Sequence, residues 1–150
     1  MGDTAGIYAR RSTYLDRYVQ IAVAQGRVIA VSFPDDPDGD ADHELLDRVE
    51  AYLGGERDEF DTVQVALTLP TDRRAVLETL RTVPYGETVT VDQLAGMTPG
   101  LGPEGDHAAE IRAALADNPV PLLVPTHRVR DAAGSEPADV AEKLRAVEGL

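Results

Sequence analysis

The chemistry open to this chain is bounded first by the side chains it lacks. Its 150 residues include no cysteine, which closes disulfides, thiolate metal sites and cysteine nucleophiles together. His43, His107 and His127 stand far apart, with no spacing that would gather a zinc ion. The run Asp36-Pro-Asp-Gly-Asp-Ala-Asp42 superficially resembles a calcium loop. An EF-hand needs glycine at its sixth place and a bidentate glutamate at its twelfth; counted from Asp36, those places hold Ala41 and Asp47. A solvated acidic loop is expected there, and neither a metal nor a cofactor is expected anywhere.

The elements that must position the remaining polar side chains follow from periodicity. Residues 18–24 and 27–33 are β-rich runs separated by Gln25-Gly26, which predicts an antiparallel hairpin with a tight turn. After a polar, proline-bearing loop, Leu45, Leu46, Val49 and Leu53 recur at helical spacing until Gly54-Gly55. Residues 63–69 alternate apolar and polar and predict another strand. The chain then turns helical. Residues 72–82 put Ala75, Val76, Leu77 and Leu80 on one face, with Thr71 as the expected N-cap. Thr90 and Gln93 have the form of a capping box opening a short helix. Beyond a glycine- and proline-rich connection at 97–105, a helix is expected from about 106 to 117, with Ala108, Ile111 and Leu115 inward. The fold class is thus α+β, divided at about residue 70. The last two helices have the order of a helix-turn-helix, whose second helix would enter a DNA groove, although such pairs more often simply pack a core.

The motifs become specific when taken in order. Val83-Pro-Tyr-Gly-Glu-Thr-Val-Thr90, Gln93-Leu94-Ala95, Asn118-Pro119, Pro125-Thr126-His127-Arg128-Val129 and Glu148-Gly149 follow one another. In order and nearly in spacing the chain resembles the alkylguanine-DNA alkyltransferases. The resemblance covers most of the chain. It implies a ribonuclease-H-like domain over 1–70, with a sheet and helix, and a winged helix-turn-helix DNA-binding domain over 71–150. Members of that family bind the minor groove, flip an alkylated guanine and transfer its O6-alkyl group to the cysteine of a Pro-Cys-His-Arg-Val motif.

Here Thr126 stands at the acceptor position. A thiol of pKa about 8.5 is readily tuned to a thiolate, whereas a hydroxyl is far more basic and needs a general base during attack. By the resemblance, His127 and Glu148 match the family's relay and Asn118 its support. An oxygen nucleophile displacing guanine from an alkyl carbon is nonetheless unfavourable, so no enzymatic transfer is expected. Cysteine-lacking homologues, the alkyltransferase-like proteins, keep lesion binding and recruit repair factors; they usually carry tryptophan or alanine where this chain has Thr126. Other DNA-handling positions also depart from the family. Its nucleotide-rotating tyrosine falls at Val91, its intercalating arginine at Ala109, and its recognition-helix glycine at Arg112. Its glycine- and tyrosine-rich loop corresponds to a shorter interval, residues 136–143, without either residue. Thr126, His127, Asn118 and Glu148 would line a residual base pocket, and Arg128, Arg112, Tyr85, Thr126 and Val129 are the expected DNA or base contacts, with Arg130 a further basic side chain.

Charge weighs on the reading. Asp and Glu total 27 against 14 Lys and Arg, for a net charge of −13, and Lys143 is the sole lysine. This composition predicts adaptation to high salt, as in a halophile, because salt screens carboxylate self-repulsion over about 3 Å at 1 M. Between residues 86 and 118, Glu87, Asp92, Glu104, Asp106, Glu110 and Asp117 face Arg112 alone, whereas non-specific DNA affinity normally comes from lysine and arginine. Two functions stay open. One is recognition of alkylated guanine in double-stranded DNA without transfer, together with other repair proteins. The other is a degenerate homologue without DNA binding, serving as a protein-interaction or small-ligand module. The retained residues fit either, since Asn118 can bridge a turn, His127 and Glu148 can satisfy each other, and Arg128 can pair with a carboxylate. No run approaches the ~18 apolar residues that cross a bilayer, and the opening MGDTAGIYARR lacks an apolar signal core. A cytoplasmic monomer is expected.

Overall fold

A computed structural model of the chain describes residues 6–39, 42–100 and 107–150. Three strands, β1 (Gly6–Ser12), β2 (Arg17–Ala24) and β3 (Arg27–Ser32), form an antiparallel sheet in the order β1-β2-β3. Gln25 and Gly26 both adopt positive φ, 54° and 75°, the primed-turn geometry whose twist matches that of the flanking strands. The expected hairpin is therefore present, with a bulge between Ala22 and Val23. β1 was not foreseen. Its run GIYARRS looks polar, yet Tyr8, Ala9 and Ser12 are buried while Arg10 reaches Asp42, Asp47 and Glu50 at 2.6, 2.8 and 3.1 Å.

Helix α1 (Glu44–Leu53) lies after the acidic loop, of which Asp40 and Ala41 fall outside the described residues. The His43 ring caps it by accepting a hydrogen bond from the Leu45 amide at 3.0 Å, and Leu45, Leu46, Val49, Tyr52 and Leu53 are buried. Residues 63–69 do not form the expected strand. Among the described residues their backbone hydrogen bonds to β3 are at Val28, whose amide donates to Gln64 O at 2.9 Å and whose carbonyl accepts from Ala66 at 3.0 Å. The reason is a distant partner: further along that edge the Val31 amide already donates to Pro119 O at 2.9 Å, so the ladder cannot extend there.

The rest is helical: α2 (Thr71–Leu80), α3 (Val91–Met97), α4 (Ala108–Ala116), a 3-10 turn (Thr126–Arg128) and α5 (Ala138–Glu148). Thr71 is the first helical residue of α2 and not its N-cap; Pro70 holds that place, and no side chain caps it. The capping box of α3 is present in full, with the Gln93 amide on Thr90 Oγ1 at 3.1 Å and the Thr90 amide on Gln93 Oε1 at 2.9 Å. The expected start of α4 at Asp106 and most of the connection before it lie outside the described residues. Ile111, Ala114 and Leu115 are the buried positions of α4, with Ala108 partly buried.

One cluster of buried side chains runs from Tyr8 and Val19 in the sheet through Leu46 and Tyr52 to Leu77, Leu94, Ile111 and Leu144. Polar ties join the sheet to α5: Arg17 pairs with Asp139 at 3.0 Å, and the Tyr14 hydroxyl donates to Lys143 O at 2.9 Å. No helix among the described residues is long and apolar enough to cross a membrane. Because Thr90 supplies half of the α3 cap, Thr90→Ala is expected to lower the unfolding free energy by about 1 kcal/mol. Urea denaturation measures this, and an unchanged midpoint would show the box to be idle.

Candidate functional site

Glu148 ends α5, and its side chain is 0% exposed. Oε1 accepts hydrogen bonds from Arg128 Nε at 2.8 Å and from the Gly86 amide at 2.9 Å. Oε2 accepts from Arg128 Nη2 at 2.9 Å and from the Tyr52 hydroxyl, and lies 2.7 Å from His127 Nε2. The carboxylate requires a proton on Nε2, while His127 Nδ1 is buried without a hydrogen-bond partner among the described residues. Burial alone would raise the Glu148 carboxyl; the hydrogen bonds of His127 and Arg128, with the Gly86 amide, outweigh it and hold the group well below the usual carboxylate range. Burial, followed by the Glu148 charge, pushes the Tyr52 phenol far above its ordinary value.

Local structure delivers these donors. Gly86 has φ +81°, so glycine suits the turn that aims its amide at Glu148. The 3-10 turn carries His127 and Arg128, and the Arg145 Nε–H holds the His127 carbonyl at 2.9 Å. Asn118 spans the neighbouring loop, donating from Nδ2 to Val124 O and accepting the Val120 amide, both at 3.0 Å.

Thr126 is 1% exposed, and its hydroxyl donates to Glu136 Oε2 at 2.7 Å. The Gly134 backbone passes directly over it: a Cβ there would collide with the Thr126 side chain and the Glu136 carboxylate. Sequence reasoning missed Glu136, Gly134 and Tyr52. Tyr52 continued the α1 periodicity as one more core aromatic; nothing in the pattern around Glu136 signalled a contact ten positions back. From Ala138 onward, the interval read as a shortened loop is the beginning of α5.

The structure brings His127 and Glu148 together but spreads the expected DNA contacts. Arg128 is buried, committed to Glu148 and to Val83 O at 2.6 Å, and therefore presents no guanidinium to a phosphate. Val129 is in the core, beside the bridge from Val89 to Val129, and the half-buried Tyr85 donates to Val147 O at 3.2 Å. Val91 is buried, and its amide donates to Asp131 Oδ1 at 2.8 Å. Arg112 stays at the surface, donating to Asp131 O at 2.7 Å; Ala109 and Arg130 are also exposed. Around them Glu87, Asp92, Glu110 and Asp117 are exposed, while Glu104 and Asp106 fall outside the described residues.

The Glu148 cluster makes a signed prediction. An unfolded glutamate titrates near about 4.3. Above that pH both states carry the charge and the site contributes fully; below it the unfolded chain takes up a proton the native one refuses, so the contribution is lost on acidification. Glu148→Gln leaves Arg128 buried without its counter-charge and should cost about 3–5 kcal/mol near neutrality. That gap is expected to narrow between about pH 5 and about pH 2. Denaturation curves of both proteins measure it, and a gap constant with pH refutes the assignment.

The family model described as 6-O-methylguanine DNA methyltransferase, DNA binding domain, matches residues 72–148. A methylated-DNA–protein-cysteine methyltransferase of Mycobacterium tuberculosis is 36% identical over 98 residues, covering 65% of this chain and 56% of that protein. One from Methanopyrus kandleri is 35% identical over 92 residues, covering 61% and 66%. The matched stretch thus spans little more than half of the mycobacterial relative. A crystal structure described as Mycobacterium tuberculosis OGT in complex with DNA superposes with a TM-score of 0.73 at 26% identity, covering 96% of this chain and 91% of that one. With the helices from α2 to α5, save Thr71 at the start of α2, inside the matched segment and the sheet inside the shared fold, this chain belongs to the 6-O-methylguanine DNA methyltransferase family.

Proposed function

We propose that this chain is a non-transferring, alkyltransferase-like member of its family that binds DNA through α3 and α4, in helix-turn-helix fashion, and accepts no alkyl group. The observation that carries the reading is Thr126: a hydroxyl with 1% exposure, donating its proton to Glu136, in a chain without cysteine. An acceptor needs an accessible, ionisable nucleophile, and this position offers neither. DNA binding is supported by the family's DNA-binding domain and by the mycobacterial relative described in complex with DNA. O6-alkylguanine is the proposed lesion, other repair proteins the proposed partners, and a cytoplasmic monomer the proposed form, divided near residue 70.

The acidic face favours a second reading, a homologue that has left DNA for a protein or small-ligand partner. Exposed Glu87 and Asp92 repel phosphates in dilute buffer, Arg73 is engaged with Glu110 and Asp117, and Arg10, Arg17, Arg48 and Arg57 are likewise engaged with carboxylates of the chain itself. Molar salt weakens that repulsion, so the conditions decide between the two.

Binding to a duplex carrying one O6-methylguanine, compared with an unmodified duplex at about 0.1 M and about 2 M KCl, separates them. We expect preference for the lesion in molar salt and an intact protein mass unchanged by incubation. Equal affinity for both duplexes removes lesion recognition; absent binding at both salts leaves the second reading. If the acidic surface is a high-salt adaptation, thermal unfolding should occur at a higher temperature in about 2 M than in about 0.1 M KCl. A melting temperature that falls with salt would refute that adaptation.

A further inference from the structure

Chemistry at position 126 by any family-type route requires a guanine to bring its alkylated O6 edge against that side chain. In this chain the space is taken. The Gly134 backbone lies over Thr126, and the Glu136 carboxylate is held against the Thr126 hydroxyl at 2.7 Å. Glu136 is itself only 8% exposed, and the described partner of its side chain is that hydroxyl. A carboxylate so enclosed needs a donor, which the hydroxyl supplies and a thiol in its place still supplies weakly. It also has the wrong polarity for the base in question: O6-alkylguanine shows lone pairs at O6 and N1 along this edge, and a carboxylate can donate to neither.

We propose that Glu136, latched onto Thr126, is the residue that keeps the O6-alkyl group of a bound nucleobase from reaching position 126, so that a lesion held by this chain stops short of the acceptor side chain. The inference rests on the non-transferring reading and deepens it, because the missing sulfur and the occupied space are separate obstacles. Restoring sulfur alone does not reopen the site. The latch also has somewhere to go. Ser135, Glu136 and Pro137 form one wall of an open groove of about 370 Å³, whose other walls include Val31, Phe33 and Pro121. Withdrawal in that direction lifts the carboxylate from Thr126 without unfolding α5, which begins at Ala138.

The absence of cysteine makes the test direct, since Thr126→Cys places a single thiol at the position in question. Its rate of reaction with a small aromatic disulfide reports access without any need for DNA binding. We expect the Thr126→Cys thiol in the folded protein to react roughly 100-fold or more slowly than in the urea-unfolded chain. Adding Glu136→Ala is expected to accelerate it at least about tenfold. Thr126→Cys with Arg10→Ala, which breaks the ion pairs of β1 with Asp42, Asp47 and Glu50, calibrates how much reactivity comes from lowered stability alone. A folded-state rate equal to the unfolded one overturns the proposal. So does an acceleration by Glu136→Ala no larger than the calibration variant gives. Failure of the DNA-binding experiment leaves these rates untouched, so the two readings fail separately.

Discussion

A carboxylate removed from water is tolerable only when donors surround it, and Glu148 is the one on which this molecule turns. Its donors come from three places: Tyr52 on α1, the Gly86 amide in the turn before α3, and His127 with Arg128 in the 3-10 turn. The sheet-bearing half and the helical half therefore share one anchoring side chain. This explains why a chain without the family's sulfur keeps the residues that flank it. These donors pin the scaffold, so removing any one of them leaves the buried Glu148 charge short of a partner.

What replaces the sulfur is an internal hydrogen bond. Thr126 and Glu136 satisfy each other beneath the Gly134 backbone, and the site reads as packed interior where an acceptor would need an opening. His127 Nδ1 is buried beside this interior without a hydrogen-bond partner among the described residues. Structure and electrostatics are consistent with each other: the position is sealed, while the surface around α3 and α4 carries exposed acids.

Much of the fold was legible because local chemistry decided it. Gln25-Gly26 specified a primed turn, Thr90 and Gln93 a capping box, and Leu45, Leu46, Val49 and Leu53 a helix face. The misreadings arose where a distant partner decided. Residues 63–69 alternate like a strand, but pairing needed an edge that Pro119 had already occupied. β1 hides behind Arg10 and Arg11, whose charges are answered by acids on α1 and by Asp16. Within the site, the pairing of His127 with Glu148 followed from the motif. The burial of Arg128 was foreseen only as one alternative, and the Glu136 contact not at all, since a glutamate before a proline usually faces solvent.

The hydrogen bonds that robbed residues 63–69 of a strand have another effect. With Gln64, Ala66 and Pro119 engaging its outer backbone, β3 offers little of a template to a further polypeptide. At the opposite margin, β1 sets the exposed Ile7 beside Arg10 and Arg11, whose guanidinium groups are paired with acids. Two chains meeting sheet to sheet along β3 would find that border already stitched, which closes one route by which exposed strands fuse into aggregates.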